Sequence, residues 1–236
     1  MITVSIVSHL QAVLVGNLLR DIAALERKDL RVVVTLNLPE EAPSDAGMPV
    51  EIIRNAARLG FGANHNQVLR RSQDEFFCVL NPDVRLPSDP FPPLLEALHD
   101  EHVGLAAPRV ANSDGDLENS ARRFPTFSSP PAKALGAVAP LDYGDDASPV
   151  SPDWVAGMFM LAKRSAWESI GGFDERYFLY YEDVDLCRRL RGKGFDIRLV
   201  PAARIVHDAR RSSHRNPRYL RWHLASILRF LTTRYR

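Results

Sequence analysis

Nowhere does the 236-residue sequence supply the about 20 uninterrupted apolar residues that a bilayer-spanning helix requires, so any membrane contact is expected to be peripheral. Cysteine is scarce. Cys78 and Cys187 are the two in the chain, and neither shows metal-ligand or redox spacing, which excludes a thiolate metal cluster and a disulfide framework. Both are expected to be buried thiols in a reducing compartment. An excess of either charge is missing too. The 30 Lys and Arg stand against 29 Asp and Glu, a formal net charge of +1 that offers no long-range field to nucleic acid. Residues Met1 to Val7 carry no basic segment, long apolar core or small-residue cleavage site, so no secretory leader is expected and a cytoplasmic location is. A complete dinucleotide fingerprint, internal repeats and low-complexity tracts are absent as well.

What is present is the composition of one globular α/β domain with a short appendage: 45% hydrophobic and 25% charged residues. Apolar β-rich runs at Val4 to Val7, Arg31 to Leu36, Val50 to Ile53 and Phe76 to Leu80 alternate with helical patterns near Asn17 to Glu26 and Ala63 to Ser72. That alternation predicts a largely parallel sheet covered on both faces, with ligands collecting past the carboxyl ends of its strands. Between Asn112 and Ser151 prolines crowd with Ser, Gly and Asp, and a long irregular segment is expected before regular structure resumes at Trp154. Acids Glu182, Asp183 and Asp185 then open a helix that Arg188 to Lys193 close, with Gly192 and Gly194 following. In the tail, Leu220, Leu224, Ile227, Leu228 and Leu231 recur at helical spacing among arginines. Two readings of that basic helix stand side by side: an anionic membrane surface receives it, or the leucines dock on the domain while the arginines face water.

Four constellations carry chemistry. Asn81-Pro82-Asp83 ends a buried strand on an amide and a carboxylate, which suits a hard cation such as Mg²⁺ and equally a simple turn. The aromatic run from Tyr177 to Tyr181 leads into Glu182-Asp183, a sugar-stacking wall ending in a candidate base, or merely an acidic first turn. The helix dipole is expected to keep Asp183 ionised. His207 follows the apolar run Ile197 to Val200 and can serve as metal ligand, phosphate partner or structural residue. Asn55, Arg58, Gly60 to Gly62 and Asn64 to Asn66 form a glycine-bearing link from strand to helix where a backbone can approach a nucleotide.

In this order these segments resemble the family 2 glycosyltransferases, and among them the rhamnosyltransferase-like members. The likeness runs from Val4-Ser5-Ile6-Val7 through Arg54-Asn55, Gly60-Phe61-Gly62, Leu80-Asn81-Pro82-Asp83-Val84, Trp154-Val155-Ala156-Gly157 and Gly172-Phe173-Asp174-Glu175 to Tyr181-Glu182-Asp183-Val184-Asp185-Leu186. The resemblance implies a GT-A fold over residues 1–205, with a donor half at 1–110, an acceptor half at 111–205 and a basic helical extension at 206–236. It implies that an inverting transfer moves a sugar, rhamnose from dTDP-rhamnose first and UDP-linked sugars next, to a hydroxyl of a glycan or lipid-linked acceptor in cell-surface polysaccharide synthesis. The implied catalytic pair is Asp183 with Glu182. Asp83 and His207 would hold Mg²⁺ or Mn²⁺, and Ser8, Asn37, Asn55, Arg58, Gly60, Asn66, Asn81 and Asp83 would face the donor. Trp154, Gly157 and Tyr181 would line the acceptor side.

Two positions depart from the family pattern. Ser8-His9-Leu10 stands where many relatives have Thr-Tyr-Asn, and Leu36-Asn37 where relatives end the second strand in Asp-Asn and hold the pyrimidine with the Asp. Leu36 cannot accept that hydrogen bond, which leaves Asn37 as the substitute or a different mode of donor binding. Two other readings compete: a non-catalytic sugar-nucleotide or membrane-binding protein, and a nucleotidyltransferase, which calls for a basic glycine-rich loop that Ser8-His9-Leu10-Gln11 does not provide.

Overall fold

A computed structural model describes residues 1–126, 141–144, 148–207, 217–233 and 235 of the chain. Its centre is an eight-stranded sheet of β1 (Ile2–Ser8), β2 (Leu30–Leu36), β3 (Val50–Arg54), β4 (Phe76–Leu80), β5 (Val84–Arg85), β6 (Val103–Ala111), β9 (Phe159–Lys163) and β10 (Asp196–His207), in the order β3-β2-β1-β4-β9-β6-β10-β5. The pairs β1–β2, β2–β3, β1–β4 and β6–β10 are parallel. β9 runs against β4 and β6, and β5 against β10, so the mostly parallel sheet is mixed at two strands. A separate two-stranded ribbon joins β7 (Ala121–Arg122) to β8 (Trp154–Val155).

The strands are apolar on both faces because helices cover both. Val4, Ile6, Val32, Val34, Cys78 and Leu80 pack with α1 (Ala12–Ala24) and α3 (Phe91–Leu98) in one layer. Their alternates Val33, Phe77 and Val79 pack with α2 (Phe61–Leu69), α4 (Arg164–Ser169) and α5 (Glu182–Gly192) in the other. This period-two division is the signature of a sheet buried between helical layers. Trp167 anchors the second layer, fully buried, with Phe77 and Phe173 edge-on at 5.5 and 4.9 Å. Cys78 and Cys187 are free and buried, as expected.

β10 runs through position 205, where the domain boundary was expected, to His207. Its register against β6 slips between Val200 and Arg204, an irregularity that takes in Pro201, a residue without an N–H for the ladder. The strand beyond this irregularity pairs with β5, so that His207 stands opposite Val84, one residue past Asp83.

Of the irregular stretch expected at Asn112 to Ser151, residues 127–140 and 145–147 lie outside the described residues, as do Asp208, Ser212 and Ser213. The tail forms α6 (Pro217–Thr232), and no helix among the described residues is long and apolar enough to cross a membrane. Leu231 packs beside Phe230, but the other leucines do not dock. Leu220, Leu224 and Leu228 are 60%, 57% and 62% exposed, and the face turned to the domain carries Trp222, His223, Ser226 and Phe230. The docking face is aromatic because its partner is aromatic: Phe178 meets Trp222 at 4.8 Å, and Tyr181 meets Phe230 at 5.8 Å.

Candidate active site

The carboxyl ends of β4 and β10 bring Asp83 and His207 together. His207 Nε2 lies 3.4 Å from Asp83 Oδ2, and its Nδ1 lies 2.9 Å from Glu118 Oε2. Burial works to lower the imidazole pKa, but the two carboxylates outweigh it and push it up to about 9. Asp83 Oδ1 is buried without a hydrogen-bond partner. An orphaned carboxylate oxygen beside an imidazole is a donor set that fits a divalent cation taking its other ligands from phosphates and water. Among the described residues no three acidic, imidazole or thiol groups converge on one point, so the protein share of such a shell is small. Asn81, expected beside Asp83, closes the turn by accepting from the Val84 N–H at 3.2 Å.

Asp183 sits in the first turn of α5. Its Oδ2 accepts from the Gly157 N–H at 3.1 Å and its Oδ1 from the Val184 N–H at 2.8 Å. Burial raises its pKa, against the lowering effect of those two donors and of Arg122. The helix terminus was expected to keep Asp183 ionised at some cost in basicity; burial instead adds basicity by raising its pKa. The result favours a base, since a carboxylate nearer to neutral pH accepts a proton more readily. Glu182 faces inward at 5% exposure, and its Oε2 has no partner. Burial and the neighbouring Asp183 charge push it well above the ordinary carboxylate range.

The chain enters α5 through strained backbone. Tyr180 and Tyr181 both have positive φ, 69° and 67°, a region that side-chain-bearing residues avoid at a cost of about 1–3 kcal/mol each. Their surroundings hold them there: Ser226 Oγ donates to the Leu179 carbonyl at 3.0 Å, the Phe61 N–H donates to the Phe178 carbonyl at 2.9 Å, and the His223 ring is 5.5 Å from both tyrosine rings. Gly60 is required at this contact, since a Cβ there would stand 2.8 Å from the Phe178 carbonyl oxygen.

The remaining expected residues divide. Arg58 lies over Phe178 and Trp222, at 5.1 and 5.0 Å from their ring centres, joining the donor half to α6. Trp154 donates through Nε1 to the Arg123 carbonyl and stands under the Arg122 guanidinium. Ser8, Asn37 and Asn66, expected to face the donor, turn inward. Ser8 Oγ, fully buried, accepts from the Gln11 N–H at 3.2 Å. Asn37 accepts from Leu59 N–H and from Asn55, and donates to the Leu59 carbonyl, so its amide pins the 55–59 loop. Asn55 completes that network through Asn64. Asn66 is 4% exposed and clamps Phe173, accepting from its N–H and donating to its carbonyl, both at 2.9 Å. Gly172 has φ 75°, and any Cβ there would come within 2.3 Å of Asn66 Oδ1.

Glu118 and Arg122 were not foreseen. Both lie in the proline-rich stretch that has no periodicity, and the Glu118–His207 contact spans 89 positions. No local signal sets them apart, since Asp114, Asp116 and Arg123 carry charge in the same stretch.

A family model described as glycosyl transferase family 2 matches residues 6–162. The chain is similar to the N-acetylglucosaminyl-diphospho-decaprenol L-rhamnosyltransferase of Mycobacterium tuberculosis, 31% identical over 208 residues that cover 79% of this chain and 68% of that one. It is similar to rhamnosyltransferase WbbL of Escherichia coli, 29% identical with coverages of 73% and 70%. Among solved structures, GalNAc-T7 with UDP, GalNAc and Mn²⁺ aligns with a TM-score of 0.67 at 15% identity, over 89% of this chain and 44% of that one. Mannosyltransferase PcManGT from Pyrobaculum calidifontis, in complex with GDP-Man and Mn²⁺, aligns at 0.66 and 19% identity, over 97% and 64%.

Proposed function

The chain belongs to glycosyl transferase family 2 and has a GT-A fold, and from that premise we propose that it inverts the anomeric centre of a nucleoside-diphosphate sugar as it passes the sugar to an acceptor hydroxyl. The observation that supports this reading is that the Asn81-Pro82-Asp83 turn, whose Asp83 meets His207, hydrogen-bonds through the Asn81 N–H to the Met158 carbonyl, one residue from the Gly157 N–H that holds Asp183. The Asp83–His207 pair suits a diphosphate and its cation, Asp183 a hydroxyl proton. Rhamnose from dTDP-rhamnose is the favoured donor, supported by the names of the similar M. tuberculosis and E. coli proteins, with UDP-linked sugars next. The M. tuberculosis name supports a lipid-linked acceptor, in the synthesis of a cell-surface polysaccharide.

In the transfer, Asp183 receives the proton of the acceptor hydroxyl while its oxygen bonds to the anomeric carbon, and the carbon–oxygen bond to the diphosphate breaks on the opposite face. Asp83 and His207 would hold Mg²⁺ or Mn²⁺, the ion of the two aligned structures being Mn²⁺. A bound cation supplies Lewis-acid neutralisation of the negative charge that gathers on the leaving diphosphate. Glu118 acts by positioning: hydrogen-bonded to His207 Nδ1, it orients the ring so that Nε2 faces Asp83. Asn37 serves the donor through the 55–59 loop it pins, a loop whose Arg58 is held over Phe178 and Trp222.

The α6 leucine stripe, with Arg221 beside it, is read as the surface that meets an anionic membrane on the cytoplasmic side, where a lipid-linked acceptor would be presented. Changing Leu220, Leu224 and Leu228 to Ser should abolish sedimentation with anionic vesicles; unchanged sedimentation rejects this role. The transfer itself is tested by incubating the protein with dTDP-rhamnose and Mn²⁺. Slow release of dTDP that stops on chelation is expected. Tight nucleotide binding without any release or transfer would point instead to a non-catalytic sugar-nucleotide protein.

A further inference from the structure

The carboxyl ends of β1 and β2 lie one and two strand spacings from that of β4, about 5 and 10 Å away. Ligands of such sheets cross the strand ends, so a nucleoside whose diphosphate meets Asp83 reaches this edge with its base. Leu36 offers the base no polar atom, and Asn37 has none to spare. Its Oδ1 accepts from the Leu59 N–H at 2.9 Å and from Asn55 at 3.0 Å, while its Nδ2 donates to the Leu59 carbonyl at 2.9 Å and lies 3.4 Å from His9 Nδ1. Four contacts saturate an amide, which withdraws Asn37 as the substitute for an aspartate at the end of β2.

Glu40, three residues further on, is held differently. Its Oε1 accepts from the Leu10 N–H at 3.0 Å, just past the end of β1, and its own carbonyl accepts from Arg54, at the end of β3, at 3.0 Å. Its Oε2 is buried and has no partner. An acceptor shut off from water without a donor is costly, and Leu10 holds the carboxylate there from left-handed backbone, φ 60°, a conformation that leucine avoids. The nearby His9 ring supplies no counter-charge: burial first, then Arg58, lowers its pKa against the opposing pull of Glu40, so the ring is neutral at neutral pH.

We infer that Glu40 reads the base of the donor, its Oε2 accepting the N3–H of uracil or thymine. This rests on the reading of the chain as a nucleoside-diphosphate sugar transferase. With Oε1 committed to the Leu10 N–H, one carboxylate oxygen is left for one donor, and N3–H is the single donor on the pairing edge of uracil and thymine. Guanine presents two adjacent donors there, of which a half-committed carboxylate satisfies one. Cytosine presents an acceptor at N3, which repels a carboxylate oxygen. A base that meets Oε2 displaces no hydrogen bond of the loop and supplies the partner that the buried oxygen lacks.

The test is calorimetric titration of the full-length protein, in saturating Mn²⁺, with dTDP, UDP, CDP and GDP. The wild type should bind dTDP and UDP about 10-fold or more tightly than CDP and GDP. Glu40→Gln keeps an oxygen for the Leu10 N–H and turns an amide nitrogen toward the base. It should bind dTDP and UDP about 10- to 100-fold more weakly than the wild type does, and CDP more tightly, because the new N–H matches the acceptor at N3 of cytosine. A loosened loop would not produce that inversion. Mn²⁺ affinity, read from the resonance of free Mn²⁺, should be equal in the two proteins, which establishes that the variant is folded. Unchanged binding of dTDP by Glu40→Gln overturns the inference. An equal fall for all four diphosphates makes Glu40 an anchor for Leu10 alone and overturns it as well. Failure of the proposed function looks different: the wild-type protein would then bind none of the four.

Discussion

The two sides of the cleft are positioned by opposite means. Asp83 and His207 are carried on the ends of strands inside the sheet, with β4 hydrogen-bonded to β1 and β9, and β10 to β6 and β5. Asp183 follows two tyrosines in left-handed backbone, braced by α6 through Ser226, His223 and Phe230. The diphosphate side thus inherits its geometry from the core, whereas the base side depends on a peripheral helix that holds strain in place. Distant substitutions in α6 should therefore disturb proton transfer and leave nucleotide binding alone.

The strongest expected effect is at the base. Asp183→Asn should lower transfer by about 100- to 10,000-fold, while calorimetric affinity for dTDP with Mn²⁺ stays as in the wild type. Retained transfer would take the base role from Asp183. Next comes the strand side: Glu118→Ala should weaken Mn²⁺ binding about 10- to 100-fold, read from the resonance of free Mn²⁺ on titration. Undiminished affinity would show that His207 needs no orienting partner. Third, the double change His223→Ala with Ser226→Ala should lower kcat about 10-fold through misplacement of the base. If the Kd for dTDP with Mn²⁺ rose to the same degree, the contrast between the two sides would collapse.

The smallest effect is on stability. Glu182 has its pKa raised by burial and by Asp183, so the folded protein holds that proton more tightly than the unfolded chain. Its contribution is complete below the ordinary value of 4.5 and declines as pH rises toward the raised one. Glu182→Gln removes the decline, and its Tm at pH 8 should exceed that of the wild type by about 2–4 °C. Equal melting curves from pH 5 to pH 8 would place the proton elsewhere in the coupled pair.

The sequence was legible where the physics is local. The buried runs of β1, β2, β3 and β4, and the acidic opening of α5, announce themselves by apolar periodicity and charge, whereas Asp83, Asp183 and His207 stood only as candidates at element ends until the family resemblance gave them roles. Glu118 and Arg122 were not legible, because their roles arise from partners far away in the chain and their own stretch is aperiodic. Amide direction was hidden as well: Asn37 and Asn66 read as ligand groups, yet both complete backbone hydrogen bonds of packed loops. In α6 the periodicity was read correctly, but the helix buries its aromatic side. Rings that cover the strained 178–181 run bury more area there than leucines would.

The two fully buried cysteines fall one on each side of the contrast, Cys78 in β4 and Cys187 one turn beyond Asp183 in α5. Burial raises both thiols, Cys187 to about 12, so neither reacts until its own segment opens. The native chain therefore carries two clocks. The alkylation rate of Cys187 times the loosening of the base side, and that of Cys78 times the opening of the sheet.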